Sequence, residues 1–187
     1  MLISPEAKFD LAMRVKTDGA PLGEIYSFVS GLYFRGKLTY ANHFARSYRR
    51  SSGVWIITTN QGLISADTRV TTEKLLSFGK VSIDLKDKTY VQSLQTSASK
   101  LADRFPAETE VVLLGSIGTK KYVEILLKVF EKRLTFPIEF VGRGDMSRGG
   151  LLLRCVAANQ ELEYVPLAGA VRHGKRPPKL EPKRWKI

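Results

Sequence analysis

Two glycine-rich stretches hold the residues best suited to chemistry. Gly142-Arg143-Gly144-Asp145-Met146-Ser147-Arg148-Gly149-Gly150 places four glycines, two arginines, one acid and one hydroxyl in nine residues. Glycine allows left-handed backbone and the close approach of a ligand. Arginine forks match the oxygens of phosphate or carboxylate. Asp145 is the candidate catalytic acid or base here, and Arg143 and Arg148 are the candidate anion ligands. A long turn with an internal Arg–Asp pair accounts for the same residues. The second stretch, Gly115-Ser116-Ile117-Gly118-Thr119-Lys120-Lys121, joins an apolar run to a helical one. Gly115, Ser116, Gly118, Lys120 and Lys121 are candidate phosphate contacts, because backbone amides at a helix start favour anions. The spacing and residue order of a Walker A loop are missing, and a tight strand-to-helix turn with an ordinary cap is the favoured reading of this stretch.

The charge is concentrated. The chain of 187 residues carries a formal net charge of +12. Residues 35–50 hold Arg35, Lys37, Arg46, Arg49 and Arg50 with no acid, and residues 171–187 hold seven Lys or Arg against Glu181 alone. The rest of the chain is close to neutral. Two basic blocks on a balanced body suit a polyanionic partner, since lysine and arginine gain affinity by releasing counterions from phosphates. Tyr33, Phe34 and Tyr40 lie among the first block, and stacking plus charge is how single strands are held. An amphipathic helix with its aromatics turned inward has the same spacing. The candidate nucleic-acid contacts are therefore Tyr33, Arg35, Lys37, Arg46, Arg49 and Arg50, with Arg172, Lys175, Arg176, Lys179, Lys183 and Arg184 in the tail.

Other chemistries find little support. Cys155 is the only cysteine and the two histidines, His43 and His173, are far apart, so neither a disulfide nor a metal site is expected. No cofactor is expected. Ser116 and Ser147 have no evident histidine partner for a hydrolytic triad. His43 reads as a structural partner of a neighbouring group, and Asp67 as a cap or turn acid. The start, MLISPEAKFD, has no apolar leader region, and no apolar run approaches the ~20 residues of a membrane helix. A cytoplasmic protein without membrane contact is expected, which leaves the Arg-Gly-Asp triplet at 143–145 no adhesive role.

These residues need elements to hold them. Ser4-Pro5-Glu6 predicts a helix start, and three- and four-residue spacings predict a second helix from Leu22 to about Ser30 and a third from about Tyr33 to Arg46. Val54–Thr59 reads as a strand, followed by a loop at Asn60–Leu63. Residues 66–88 read as largely irregular. A helix is expected over Tyr90–Leu101, a buried strand over Glu110–Gly115, a helix capped by Thr119 through Phe130, and a strand over Pro137–Val141. Gly149-Gly150 weakens a helix beyond that point, so a hairpin over 151–167 is favoured against a helix over Ser147–Ala157. Residues 171–187, with three prolines, should form an extended basic tail. The alternation of strand and helix predicts one α/β domain over 1–170: a Rossmann-like, three-layer domain with a mostly parallel central sheet. Ligands of such sheets bind beyond the carboxyl ends of the strands. That rule brings together the loops at 60–67, 115–121 and 142–150.

SGLYFRGKLTYA at 30–41, VWIITTNQGLISAD at 54–67, and VVLLGSIGTKKYVEILLKVF with FPIEFVGRGDMSRGG between 111 and 150 carry a resemblance. In this order they resemble a group of bacterial α/β domains similar to the peroxide-stress DNA-binding protein family and to accessory domains beside tRNA-guanine-transglycosylase-like enzymes. Thr59-Asn60-Gln61 stands here where that group often has a Ser-Ala-Lys type sequence. The resemblance implies a Rossmann-like sheet and a connection with nucleic acid, and it carries no catalytic residues onto these positions. The expected function is a nucleic-acid-binding protein, of DNA or RNA, serving repair or RNA modification. The alternatives are an enzyme acting on an N-glycosidic bond of a nucleotide or nucleic acid, as hydrolase or transferase, and an interaction module whose tail docks on an acidic protein.

Overall fold

The computed structural model describes residues 2–49 and 51–181. Its elements run α1 (Asp10–Lys16), β1 (Ala20–Pro21), α2 (Leu22–Val29), α3 (Leu32–Phe44), β2 (Trp55–Thr58), β3 (Gly62–Ser65), β4 (Arg69–Val70), α4 (Thr72–Phe78), α5 (Lys88–Arg104), β5 (Val111–Val112), α6 (Lys120–Phe130), β6 (Leu134–Pro137), α7 (Asp145–Ala158) and β7 (Tyr164–Pro166). The expected helices over 22–30, 33–46, 90–101 and 119–130 are present as α2, α3, α5 and α6. Local chemistry fixes two of their starts. The Asp87 carboxylate accepts from the amides of Thr89 and Tyr90, and Thr119 Oγ1 accepts from the Lys121 amide. The first helix starts later than expected, at Asp10, because the Ser4 hydroxyl donates to Glu6 instead of capping the chain.

Among the described residues there is no Rossmann-like sheet. The strands form two two-stranded sheets, β1–β4 and β2–β3, and one three-stranded sheet, β5–β6–β7. Among the described residues only β5 and β6 pair in parallel, over Val111↔Leu134 and Val112↔Thr135; β6 and β7 are antiparallel. Three local causes replace the expected parallel sheet. Gly62, at φ +64°, turns the chain back, so Gly62–Ser65 pairs antiparallel with β2 and the expected loop is half of a hairpin. Beyond Val112 the Leu113 amide still reaches Thr135, but the Leu114 carbonyl is taken by the Tyr33 hydroxyl, and the strand stops. The buried strand is β6, every residue of which is buried, while Ile138–Phe140 is one 3-10 turn. Among the described residues no helix is long and apolar enough to cross a membrane.

The buried side chains form two clusters. One gathers Leu11, Val15, Leu22, Ile25, Val70 and Phe78 from the N-terminal elements. The other gathers Leu94, Val123, Phe130, Phe136, Phe140 and Leu152 from α5, α6, β6 and α7 and the turn before it. Helix α3 serves both, with Phe34 and Leu38 packed on the first and Tyr33, Tyr40 and Phe44 on the second.

Residues 145–158 are helical, which overturns the favoured hairpin. The reason lies on another element: α3 and α7 make the most extensive contact between any two elements. A Cβ on Gly36 would stand 2.7 Å from the Gly149 carbonyl oxygen, and one on Gly149 would stand 2.9 Å from both Leu32 O and Tyr33 Cα. The two glycines let the backbones touch. The apparent helix breaker is a crossing point.

Tyr90 is fully buried on α5, and its hydroxyl has no partner among the described residues. Burial pushes its phenol up to about 12. The folded value lies above the ~10 of an exposed tyrosine, so the stability of the neutral form is complete below about pH 10. That stability is lost as pH rises through about 12. Tyr90→Phe is expected to raise stability by about 1–3 kcal/mol, the cost of a buried donor without an acceptor. It should also blunt the alkaline loss. Denaturant midpoints at neutral and alkaline pH check both effects, and a lower neutral midpoint in the variant contradicts them.

Candidate functional site

Helix α7 begins without a side-chain cap. Gly144 is its N-cap residue in extended conformation, and the first helical bond runs from the Arg148 amide to the Gly144 carbonyl at 3.0 Å. The amides of Asp145, Met146 and Ser147 precede that bond and have no acceptor within the helix. Arg148 is held under this helix start. Its Nε and Nη2 donate to the Phe140 carbonyl at 3.2 and 2.8 Å, and its guanidinium carbon lies 5.2 Å from the centre of the Phe140 ring. Its third nitrogen, Nη1, lies 3.7 Å from Asp145 Oδ1. The Arg148 side chain is 9% exposed and the Asp145 side chain 68%. Arg148 is thus a fixed cation with one face left, and Asp145 is its solvent-facing counter-ion. Arg143 reaches Ser147 Oγ from Nη1 at 3.3 Å, while its Nε is buried with no partner among the described residues.

The loop after β5 forms the second wall. The Tyr33 hydroxyl donates to Leu114 O at 2.7 Å and the Tyr122 hydroxyl to Ser116 O at 2.9 Å, so two phenols clamp the loop two residues apart. Burial raises both phenols above the ordinary tyrosine range and keeps them protonated donors. Gly115 lies close beneath this clamp: a Cβ there would stand 2.8 Å from the Tyr122 hydroxyl and would push that ring aside. Ile117 is fully buried and anchors the floor.

The third wall comes from the tail. Residues 171–181 have no helix or strand, and they lie on the body of the protein. Gly142, at φ +72°, leaves room only for the Lys175 carbonyl beside its α-carbon. The His173 ring sits 3.1 Å from the position of a Cβ on Gly118, and Gly174 lies against Val141. Further along, Arg154 donates to the Glu181 carbonyl. The strap therefore bridges from the β5–α6 loop to the start of α7.

Together the three walls enclose an open cleft of about 420 Å³. Ser116, Gly118, Arg143, Asp145, Arg148 and Arg172, all candidates from the sequence, line it. Gly142, Gly144, His173 and Gly174 complete the lining. Lys37 stands nearby on α3, its ammonium 4.5 Å from the centre of the Tyr33 ring. Burial lowers the Lys37 pKa, and the Asp145 carboxylate opposes that shift.

The other candidates lie elsewhere. Arg35, Arg46 and Arg49 are exposed, and Arg49 stacks on its neighbour Tyr48. Lys120, Lys121, Lys175, Arg176 and Lys179 are exposed along α6 and the strap. Arg50, Lys183 and Arg184 lie outside the described residues. The loop at 60–67 does not join the cleft: Gln61 lines a separate polar groove with Gln92, Ser93 and Lys100, and Asp67 is exposed. His43 bonds Asn159, the left-handed residue that ends α7, at 2.8 Å. Ser116, His173 and Asp145 share the cleft, but no hydrogen bond joins them among the described residues. Among the described residues no three His, Cys, Asp or Glu side chains cluster as a metal would require.

Sequence reading missed His173 as a lining residue. The signal was weak: a histidine beside Gly174 in a proline-containing basic stretch. It also gave no reason to link Tyr122 with the cleft. No family model, curated protein or solved structure matches the chain.

Proposed function

We propose that the chain binds nucleic acid and holds its phosphate in this cleft. One observation carries the reading: Arg143, Arg148 and Arg172 arrive from a loop, a helix and the strap and converge on one concavity with a single acid. Folding separate arginines onto one open surface costs electrostatic repulsion unless an anion offsets it. The uncapped amides of α7 add donors that favour the same sign of charge. The exposed cations Arg35, Arg46, Arg49, Lys175, Arg176 and Lys179 then supply long-range attraction for a polyanion. Asp145 fits this reading as the residue that pairs with the free face of Arg148.

Affinity for single-stranded DNA, duplex DNA and structured RNA, measured across salt concentrations, tests it. Each phosphate neutralised contributes a slope of about −0.7 to −0.9 in log K against log salt. Contacts by the three cleft arginines predict a total slope of at least about −2 for the preferred form. Salt-independent or absent binding of all three forms contradicts the reading.

A further inference from the structure

We infer that the cleft receives a phosphate monoester, the group found at the end of a nucleic-acid strand, in preference to a diester within one. The inference rests on the nucleic-acid reading and deepens it. Charge is the first argument. Arg143, Arg148 and Arg172 face one carboxylate, Asp145, which leaves an excess of two positive charges in the cleft. A monoester carries about −1.5 to −2 at neutral pH and has three terminal oxygens. A diester carries −1 and has two free oxygens, so it leaves one cation unmatched.

Donor supply is the second. Arg143 lines the cleft and, among the described residues, uses only Nη1 of its guanidinium, on Ser147 Oγ. Arg148 has spent two nitrogens on Phe140 and keeps only Nη1 toward Asp145. The amides at the start of α7 have no side-chain cap. Arg143, Arg148 and the first residues of α7, Gly144 and Asp145, line one opening, and Arg172 lines it from the strap, which suits a tetrahedral group with three acceptor corners.

Access is the third. His173 packs on Gly118 and the Lys175 carbonyl packs on Gly142, so the strap crosses from one loop to the other. It closes one side of the cleft. A phosphate in mid-strand must have chain leaving in two directions, whereas a terminal phosphate needs one.

The test uses the full-length protein and fluorescently labelled oligonucleotides of one sequence. They carry a 5′-phosphate, a 3′-phosphate or no terminal phosphate, with a nucleoside 5′-monophosphate and inorganic phosphate as competitors. At least one phosphorylated end is expected to bind about tenfold or more tightly than the unphosphorylated strand, the size of one or two charge-assisted contacts. That preference should vanish in R143Q/R172Q. Competition by the monophosphate at a similar concentration identifies a free nucleotide as an equal source of the group; failure to compete assigns the site to strand ends. Equal binding of phosphorylated and unphosphorylated strands overturns the inference and leaves the nucleic-acid reading standing. Binding of the monophosphate without binding of any strand does the reverse. The comparison among ligands uses the wild-type protein, so it holds even where the double variant folds poorly.

Discussion

Reversing charge at Arg143 and Arg172 together is expected to weaken nucleic-acid binding by at least about a hundredfold at moderate salt. Each residue contributes a charge-assisted contact of about 1.5–3 kcal/mol, and about 1.4 kcal/mol is a factor of ten. Glutamate adds repulsion to the loss. The salt slope should also become shallower by about 2. The fold should survive, because among the described residues the Arg143 side chain bonds only the Ser147 hydroxyl, and Arg172 lies on the strap. Arg35→Glu with Arg46→Glu is the matched control: both are exposed and neither lines the cleft. Its effect should be smaller and should disappear as salt is raised, since distant surface charges are screened within ~8 Å at physiological ionic strength. Equal losses from the two pairs contradict a cleft-centred site and favour a diffuse basic face. A melting curve separates lost binding from lost structure.

The second large effect concerns stability. Gly149→Ala should destabilise the protein by about 1–3 kcal/mol despite alanine's advantage of ~1 kcal/mol in a helix. The new methyl would lie 2.9 Å from Leu32 O and Tyr33 Cα, and backbone atoms cannot rotate away. In a chain of this size that lowers Tm by roughly 2–4 °C per kcal/mol. Gly150→Ala, one position on, meets only Leu180 Cδ1 at 3.6 Å, an ordinary contact. It should be neutral or stabilising. Opposite signs at adjacent glycines of one helix are the signature of the α3–α7 crossing. Similar effects at both positions contradict that crossing. Because α7 carries Arg148 and Asp145, and α3 carries Tyr33 and Lys37, loosening the crossing should also weaken ligand binding.

Helices α2, α3, α5 and α6 were legible because their apolar spacing is local. Helix α7 was hidden because glycine's cost in a helix is local too, whereas the benefit of Gly149 comes from Gly36 on another element. The parallel sheet was expected because strand and helix alternate, yet Gly62 folds β3 back on β2. That left-handed residue is one of the three local causes, and glycine in a polar stretch does not announce its φ. The cleft was half legible. Charge and glycine density selected Arg143, Asp145 and Arg148. The role of the tail was not legible, because its contacts are a carbonyl over Gly142 and a ring over Gly118. Nor does composition show which arginine is fixed: Arg148 is buried by Phe140, while Arg35 is exposed.

The most direct test of the cleft as the phosphate site is a map of backbone amide chemical shifts during titration with the tightest-binding oligonucleotide. The structure predicts that the largest changes fall on Ser116, Gly118, Gly144 to Ser147 and His173 to Gly174, because these amides line the cleft or open α7. Changes confined to the exposed arginines of 35–49, with those amides unmoved at saturation, would contradict the account.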